Sequence, residues 1–200
     1  REAQLMEATA FSADGAIRVR LPDGTVLAPG DDCDRALSEW LGRSVRLARA
    51  VDHPASYEMH VSAVDEESPV IELPCPPGTF FDAASVHLLT TASLASMAAL
   101  QPTSTWDAHR FRPTLVVDTG DTDGFPEDAW IGGEIEVGEA RLRVFAPTVR
   151  CAMTAHAQNG LPRDLEVPKA VNREHEGNLG IYAVVASPGR VAVGDAVKAG

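Results

Sequence analysis

Cys151 lies in the run Pro147-Thr148-Val149-Arg150-Cys151-Ala152-Met153-Thr154, directly after a strand-like stretch, and is the residue best suited to carry chemistry in this chain. A thiolate is both a nucleophile and a soft metal ligand, and positive charge beside it favours the ionised form. Arg150 is its neighbour, and Arg110 and Arg112 lie upstream. Two chemistries follow: ligation of a soft metal through sulfur, or carriage of sulfur as a persulfide. Residue type alone does not decide, because an isolated cysteine is more often a small buried hydrophobe. His87, His109 and His156 form no pair at helical i, i+4 spacing, so they do not build a metal site among themselves. His87 reads as a packing residue, and His156 as an exposed one placed where it could donate a proton. Arg110 and Arg112 alternate along what reads as a strand, so they point to opposite sides. Arg112 is the one expected to face the site.

Two hundred residues with 44% hydrophobic content can bury a core, as one domain or two small ones. The net charge of -12 argues against nucleic acid as a partner, since phosphate binding needs a basic face. Asp118, Asp121, Asp123, Glu127, Asp128, Glu134, Glu136 and Glu139 form an acidic stretch, with Arg110 and Arg112 before it and Arg141, Arg143 and Arg150 after it. That pattern fits a solvated surface, and equally a fold in which arginines converge on a small anion. Lys169 and Lys198 are the only lysines, which fits a compositional bias of the coding sequence. Cys33, Cys75 and Cys151 are odd in number and never in a C-x-x-C pair, so neither a disulfide framework nor a zinc knuckle is indicated, and a cytoplasmic setting is expected. No run of about 18 apolar residues marks a membrane helix.

The elements that must position Cys151 read as mostly β. Ala16–Leu21 alternates, Pro22-Asp23-Gly24 turns, and Thr25-Val26-Leu27 resumes, making a hairpin. Asp31 and Asp32 start a helix with Leu37, Trp40 and Leu41 on its apolar stripe and Gly42 at its end, and Val45–Val51 reads as a strand. Trp40 and Trp130 read as core aromatics, and Cys33 and Cys75 as structural. Arg1 is not a methionine and opens on strand-like sequence, which predicts a missing N-terminal segment. Residues 1–64 are expected to be a partial β-rich unit, and 65–79 a Pro-rich connector containing Pro69, Pro74, Pro76 and Pro77. Residues 80–200 then form a second unit. In it, His87-Leu88-Leu89 is a strand, a helix capped by Thr90 or Thr91 runs to Leu100, and Leu115-Val116-Val117 is a strand. Glu134–Val144 is a hairpin turning at Gly138, a short helix covers Lys169–Glu174, and Tyr182–Val185 and Val191–Val193 are strands. Many short strands with few helices imply a closed or strongly curved β-structure.

In order along the chain, these segments resemble the MOSC family, the domain named for the C-terminal part of molybdenum-cofactor sulfurases. Phe81-Asp82 with Val86–Leu94 looks like the family's first strand and helix, and Arg110–Val117 like its RFRPN strand. Glu127-Asp128-Ala129-Trp130-Ile131-Gly132 is similar to its ED-W-G segment, Pro147–Thr154 to its P-x-x-R-C-x-x-T segment, and Gly180-Ile181-Tyr182 and Val193-Gly194-Asp195 to its closing motifs. Residues 1–51 resemble the end of the β-barrel domain that often precedes it. The resemblance implies a MOSC-type β-barrel with a few short helices. It also implies that Cys151 is the catalytic residue and metal ligand, binding the molybdenum cofactor (molybdopterin) through sulfur. Carried across, Arg112, Thr90, Ser93 and Arg150 would contact that cofactor, and Arg1 would match an arginine of the preceding domain.

The activity so implied is reduction of small N-oxygenated compounds. The alternative is a sulfurtransferase using a Cys151 persulfide, and a third reading is a module that only holds a small ligand. No ferredoxin-like cysteine set is present, so electrons would come from an external donor protein. Three departures from the family stand out: Thr114 where it often has Asn, no aspartate in the run Thr154–Gly160, and no counterpart of a lysine-containing segment of the first domain.

Overall fold

The computed structural model of the protein describes residues 3–49, 55–60, 67–81, 83–158 and 160–200. Arg1, Asp82 and Asn159, together with Ala50 and Val51, lie outside the described residues.

A 3-10 turn, Ala3–Glu7, precedes β1 (Thr9–Ala13), where the sequence reads as strand throughout. With β2 (Ala16–Arg20) and β3 (Val26–Leu27) it forms an antiparallel sheet in the order β1-β2-β3. Helix α1 (Asp31–Leu41) starts with three aspartates, which suit the positive end of its dipole, and stops at Gly42, whose left-handed backbone (φ 67°) closes the last turn. Cys33 and Leu37, one turn apart, pack with Val19 and Leu21, and Trp40 covers this cluster. The strand expected at Val45–Val51 is absent over residues 45–49. Side chains of α1 take the place of a strand partner there: the Ser38 hydroxyl bonds both the N–H and the C=O of Val45, and Asp34 accepts from the Leu47 N–H.

Strands β4 (Ser56–His60) and β5 (Val70–Pro74) form a two-stranded antiparallel sheet, so the Pro-rich stretch contains an element of its own. The remaining elements are β6 (Val86–Thr90), α2 (Thr91–Leu100), α3 (Ala108–Phe111), β7 (Leu115–Val117) and a 3-10 turn at Pro126–Trp130. After them come β8 (Glu134–Val137), β9 (Ala140–Val149), a 3-10 turn at Ala152–Ala155, α4 (Glu166–Glu174), β10 (Asn178–Ser187) and β11 (Val197–Ala199). Six strands share one sheet in the order β11-β8-β9-β10-β6-β7. All neighbours are antiparallel except β6 and β7, which α2 and α3 connect as a parallel crossover. The protein is mostly β, its main sheet curled into a half-barrel.

Every residue of β6 is buried, which is why it reads as a nearly unbroken apolar run. Val86 and Leu88 join Ile135, Val137, Leu142, Val144, Ile181 and Ala183 in one cluster, against which Trp130 packs. Leu89 joins Met97, Phe111, Val167, Val171 and Leu179 in a second, under α2 and α4. The hairpin β8–β9 pairs Val137 with Ala140 around Gly138, as its alternation predicts. Two expected strands are corrected. Arg110-Phe111 lies in α3, because Asp107 caps that turn by accepting from the His109 N–H, and extended pairing starts only at Leu115. Val191–Val193 is a loop, because the Asp195 carboxylate and N–H bind the Ala192 N–H and C=O and fold the segment into a turn, which leaves the strand to β11.

Candidate functional site

Strand β9 delivers Cys151. Beyond Val144, which still bonds Gly132 and Gly133, this strand pairs among the described residues only with β10, so Pro147, which has no N–H to give, sits where one neighbour is missing. The strand ends at Val149, and the Arg150 N–H is taken by the Gly177 carbonyl at 2.8 Å. Cys151 follows with extended backbone (φ -92°, ψ 175°) and opens the 3-10 turn Ala152–Ala155. Its carbonyl accepts from the Thr154 N–H at 3.3 Å and the Thr154 hydroxyl at 3.1 Å, which fixes the thiol's backbone from below. The thiol is partly exposed and free, whereas Cys33 is fully buried and its thiol is pushed up, first by burial and then by Asp34.

Arg150 and Arg110 point in opposite directions across the same seam. Arg150 Nη2 donates to the Phe111 carbonyl at 2.8 Å, its guanidinium lies 5.4 Å from the centre of the Phe111 ring, and Nη1 is 3.3 Å from His87 Nε2. A guanidinium only donates, so Nε2 of His87 is the acceptor there. Burial, then the Arg150 charge, hold His87 down at a pKa of about 4, with backbone hydrogen bonds to Leu179 and Arg112 pulling the other way. His87 is buried against the edge of Tyr182, in keeping with a packing residue. Gly180 is required beside it: with φ +84°, an added Cβ would lie 2.5 Å from Leu88 O and 2.7 Å from His87 Nε2.

Arg110, from α3, reaches the other way. It is 1% exposed, and its Nη1 donates to Thr154 O at 3.1 Å and His156 O at 3.4 Å while Nη2 donates to Pro162 O at 3.1 Å. Burial lowers its pKa, and the carboxylates of Asp164 and Asp107 oppose that. Arg112, expected to face the site, caps α3 with a left-handed backbone (φ 54°), and its exposed side chain has no hydrogen-bond partner among the described residues. The bond between Arg150 and Phe111 brings the segment just before Arg112 against the one just before Cys151.

Thr90 and Ser93 are fully buried, and both turn to Glu127. Thr90 caps α2 by accepting from the Ser93 N–H, and its hydroxyl donates to Glu127 Oε2 at 2.6 Å. The Ser93 hydroxyl lies 2.6 and 2.7 Å from the two Glu127 oxygens. Glu127 is itself 0% exposed, unlike the solvated Asp118, Asp121, Asp123, Glu134, Glu136 and Glu139 of the same acidic stretch. Next to it Asp128 bonds His175 Nε2 at 2.8 Å, and Phe125 stacks on that ring at 3.7 Å, tying this turn to the end of α4. Arg141 lies 3.8 Å from Glu134, and Arg143 pairs in register with it on β8, so these two arginines are held at the hairpin. Sequence reasoning missed Arg110 and the burial of Glu127. The signal for the first was Asp107, a capping residue three positions earlier; for the second it was Pro126, which starts a turn inside an acidic run.

Fold and site together define a half-barrel protein that presents one partly exposed thiol on a loop held down by two arginines. The chain belongs to the MOSC domain family, whose pattern matches residues 76–198. Its structure is similar to that of YiiM from Escherichia coli, at 16% identity and a TM-score of 0.43, over 72% of this chain and 62% of that one. A second solved structure, described as a hypothetical protein, is similar at 16% identity and a TM-score of 0.43, over 72% of this chain and 65% of that one. The chain thus spans just under two thirds of the length of either. No curated protein matches it. Among the described residues no helix is long and apolar enough to cross a membrane, and no group of three His, Cys, Asp or Glu side chains is placed to hold a metal.

Proposed function

We propose that the protein binds the molybdenum cofactor through Cys151 and reduces small N-oxygenated compounds with electrons from an external donor protein. The observation that carries this reading is the placement of Cys151: a free, partly exposed thiol at the end of a core strand, its backbone pinned by Thr154 and by the Arg150–Gly177 bond. The donor set fits such a group. One thiolate suits a soft metal that brings its other ligands with it, and Arg112 offers an exposed, uncommitted guanidinium for an anionic phosphate. Cys151 and Arg112 would therefore hold the cofactor. Thr90 and Ser93 would support the pocket wall through Glu127, and Arg150 would brace the thiol by its grip on Phe111. When bound, the cofactor supplies two-electron transfer to oxygenated substrates. This chain's own residues fix the backbone of the thiol, and burial together with Arg150 keeps His87 neutral.

The test is elemental analysis of protein purified from a host that makes the cofactor. Wild type is expected to hold molybdenum near one per chain, and Cys151→Ser to lose it, because an alkoxide is a poor substitute for thiolate toward this metal. A wild-type protein without molybdenum that carries the mass of one extra sulfur, removable by dithiothreitol, would replace this reading with sulfur transfer.

A further inference from the structure

Two arginines cross-bolt α3 to the segment around Cys151, and they do so from opposite sides. Arg150 fixes the approach to Cys151 by holding the end of α3 at Phe111 O. Arg110 fixes the exit, because its guanidinium lies inside the loop that follows and gathers three carbonyls, those of Thr154, His156 and Pro162. Among the described residues the loop's other polar ties are mostly within itself. Gln158 bonds Met153 O and pairs with Leu161, and the Asp164 N–H bonds Ala155 O. A buried guanidinium whose hydrogen bonds all go to backbone carbonyls is an unusual investment: among the described residues its charge meets no carboxylate within bonding distance, and its Nε has no partner. Such an arrangement does little that an apolar side chain could not do for packing. What it does supply is convergence: three carbonyls spread over nine residues of irregular chain are drawn to one planar fork.

We infer that Arg110 is the positioning residue of the Cys151 loop, setting where the thiol sits by holding the carbonyl of Thr154, the residue whose N–H and hydroxyl close the turn Cys151 opens. Thr154 is the hinge of this relay. Its N–H and hydroxyl hold the Cys151 carbonyl, and its own carbonyl is held by Arg110. The inference rests on the reading of Cys151 as the working thiol. It adds that the arginine which matters most to the loop is the buried Arg110, with exposed Arg112 left free for a ligand. Lysine at position 110 would keep the charge but lose the fork, and methionine would keep the bulk and lose both.

The test uses the full chain from a host that does not make molybdenum cofactor, as wild type, Arg110→Lys and Arg110→Met. Iodoacetamide labelling is followed peptide by peptide, with Cys75 as the internal control because it is partly exposed and its N–H bonds Ala55 O at the end of the separate β4–β5 sheet. Amide exchange of residues 152–158 is measured alongside that of β6. In Arg110→Met, Cys151 labelling and loop exchange are expected to rise about tenfold, the factor that corresponds to one lost net hydrogen bond, with Cys75 and β6 unchanged. Arg110→Lys is expected to fall between wild type and Arg110→Met. The inference is overturned if both variants stay within about twofold of wild type, or if Cys75 and β6 loosen by the same factor as the loop. Should Arg110→Met fail to fold, Arg110→Lys decides alone: a rise of about threefold confined to the Cys151 loop supports the inference, and equal rates overturn it. Molybdenum content, measured separately in protein from a host that makes the cofactor, keeps the two claims apart. Metal absent with the labelling order intact sinks the proposed function and leaves the clamp standing, and the reverse pattern sinks the clamp.

Discussion

Replacing Thr90 with valine tests the most unusual piece of buried chemistry in the fold, the Glu127 carboxylate held by hydroxyls. Valine keeps the shape and removes the oxygen, and that oxygen has two tasks. It caps α2 by accepting from the Ser93 N–H, a contribution of about 1 kcal/mol. It also donates to Glu127 Oε2 at 2.6 Å, a hydrogen bond to a buried carboxylate whose loss costs about 2 kcal/mol. Thr90→Val is therefore expected to destabilise the protein by about 3 kcal/mol, measured by urea unfolding followed by circular dichroism. The decisive comparison is the same substitution in a Glu127→Leu background. With the carboxylate gone the cap and the 3.1 Å contact with the Ser93 hydroxyl remain to be lost, so the cost should shrink to between about 1 and 2 kcal/mol, a coupling of about 1 to 2 kcal/mol in the double-mutant cycle. If Thr90→Val costs the same in both backgrounds to within about 0.5 kcal/mol, Glu127 is not its partner, and the hydroxyl serves something else, such as a ligand.

Two other outcomes follow from the geometry. His87 is protonated below about pH 6.5 when unfolded and only below about 4 when folded, so stability falls as pH drops through that window, by up to about 3 kcal/mol. His87→Gln should lose this part of the slope, and parallel wild-type and variant curves from pH 7 to 4.5 would refute the assignment of a neutral buried imidazole. Gly180→Ala is expected to cost more than about 3 kcal/mol, because it adds collisions with Leu88 O and His87 to an unfavourable φ. Gly177→Ala, with a similar φ but only an ordinary contact 3.5 Å from Asn172 Oδ1, should cost only about 1 to 2 kcal/mol, and equal losses in thermal or urea unfolding would show that the collisions are relieved.

Local signals made much of this fold legible. Helix α1 shows its aspartates, its i, i+4 pair and its terminal Gly42; α2 shows Thr90 as its cap; the β8–β9 hairpin shows strict alternation about Gly138. The ordered motifs carried the family. What misled were places where a few polar contacts outweigh strand propensity. Ser38 and Asp34 claim the backbone at Val45 and Leu47, Asp195 folds the Val191–Val193 run, and Asp107 bends Arg110-Phe111 into a helical turn. The last of these also governed the site. Two arginines two apart on a strand would face opposite ways, but on a capped turn one goes inside and the other stays in solvent, and only the tertiary structure says which. Cys151 stands out by type and setting as a candidate only; Thr90 and Ser93 stand out as a pair of hydroxyls, but the partner they bond lies more than thirty residues away in an acidic run that reads as surface.

The order of strands in the main sheet bears on how the thiol comes to be held at all. Strand β10 is bonded to β9 on one side and β6 on the other, so it is the seam between two pieces that are each local in sequence, the crossover β6–α2–α3–β7 and the hairpin β8–β9, to which β11 adds last on the far side of β8. Leu88 must wait for Ile181, a contact whose long chain separation makes it slow to close. The turn that begins this late strand also supplies the Gly177 carbonyl that anchors Arg150. During synthesis, therefore, Cys151 emerges well before its anchor, and a folding chain passes through a stage in which its hairpins exist while the thiol is still loose. Any cofactor that seats on Cys151 would meet a finished site only after this seam has closed, which makes loading a reporter of complete folding.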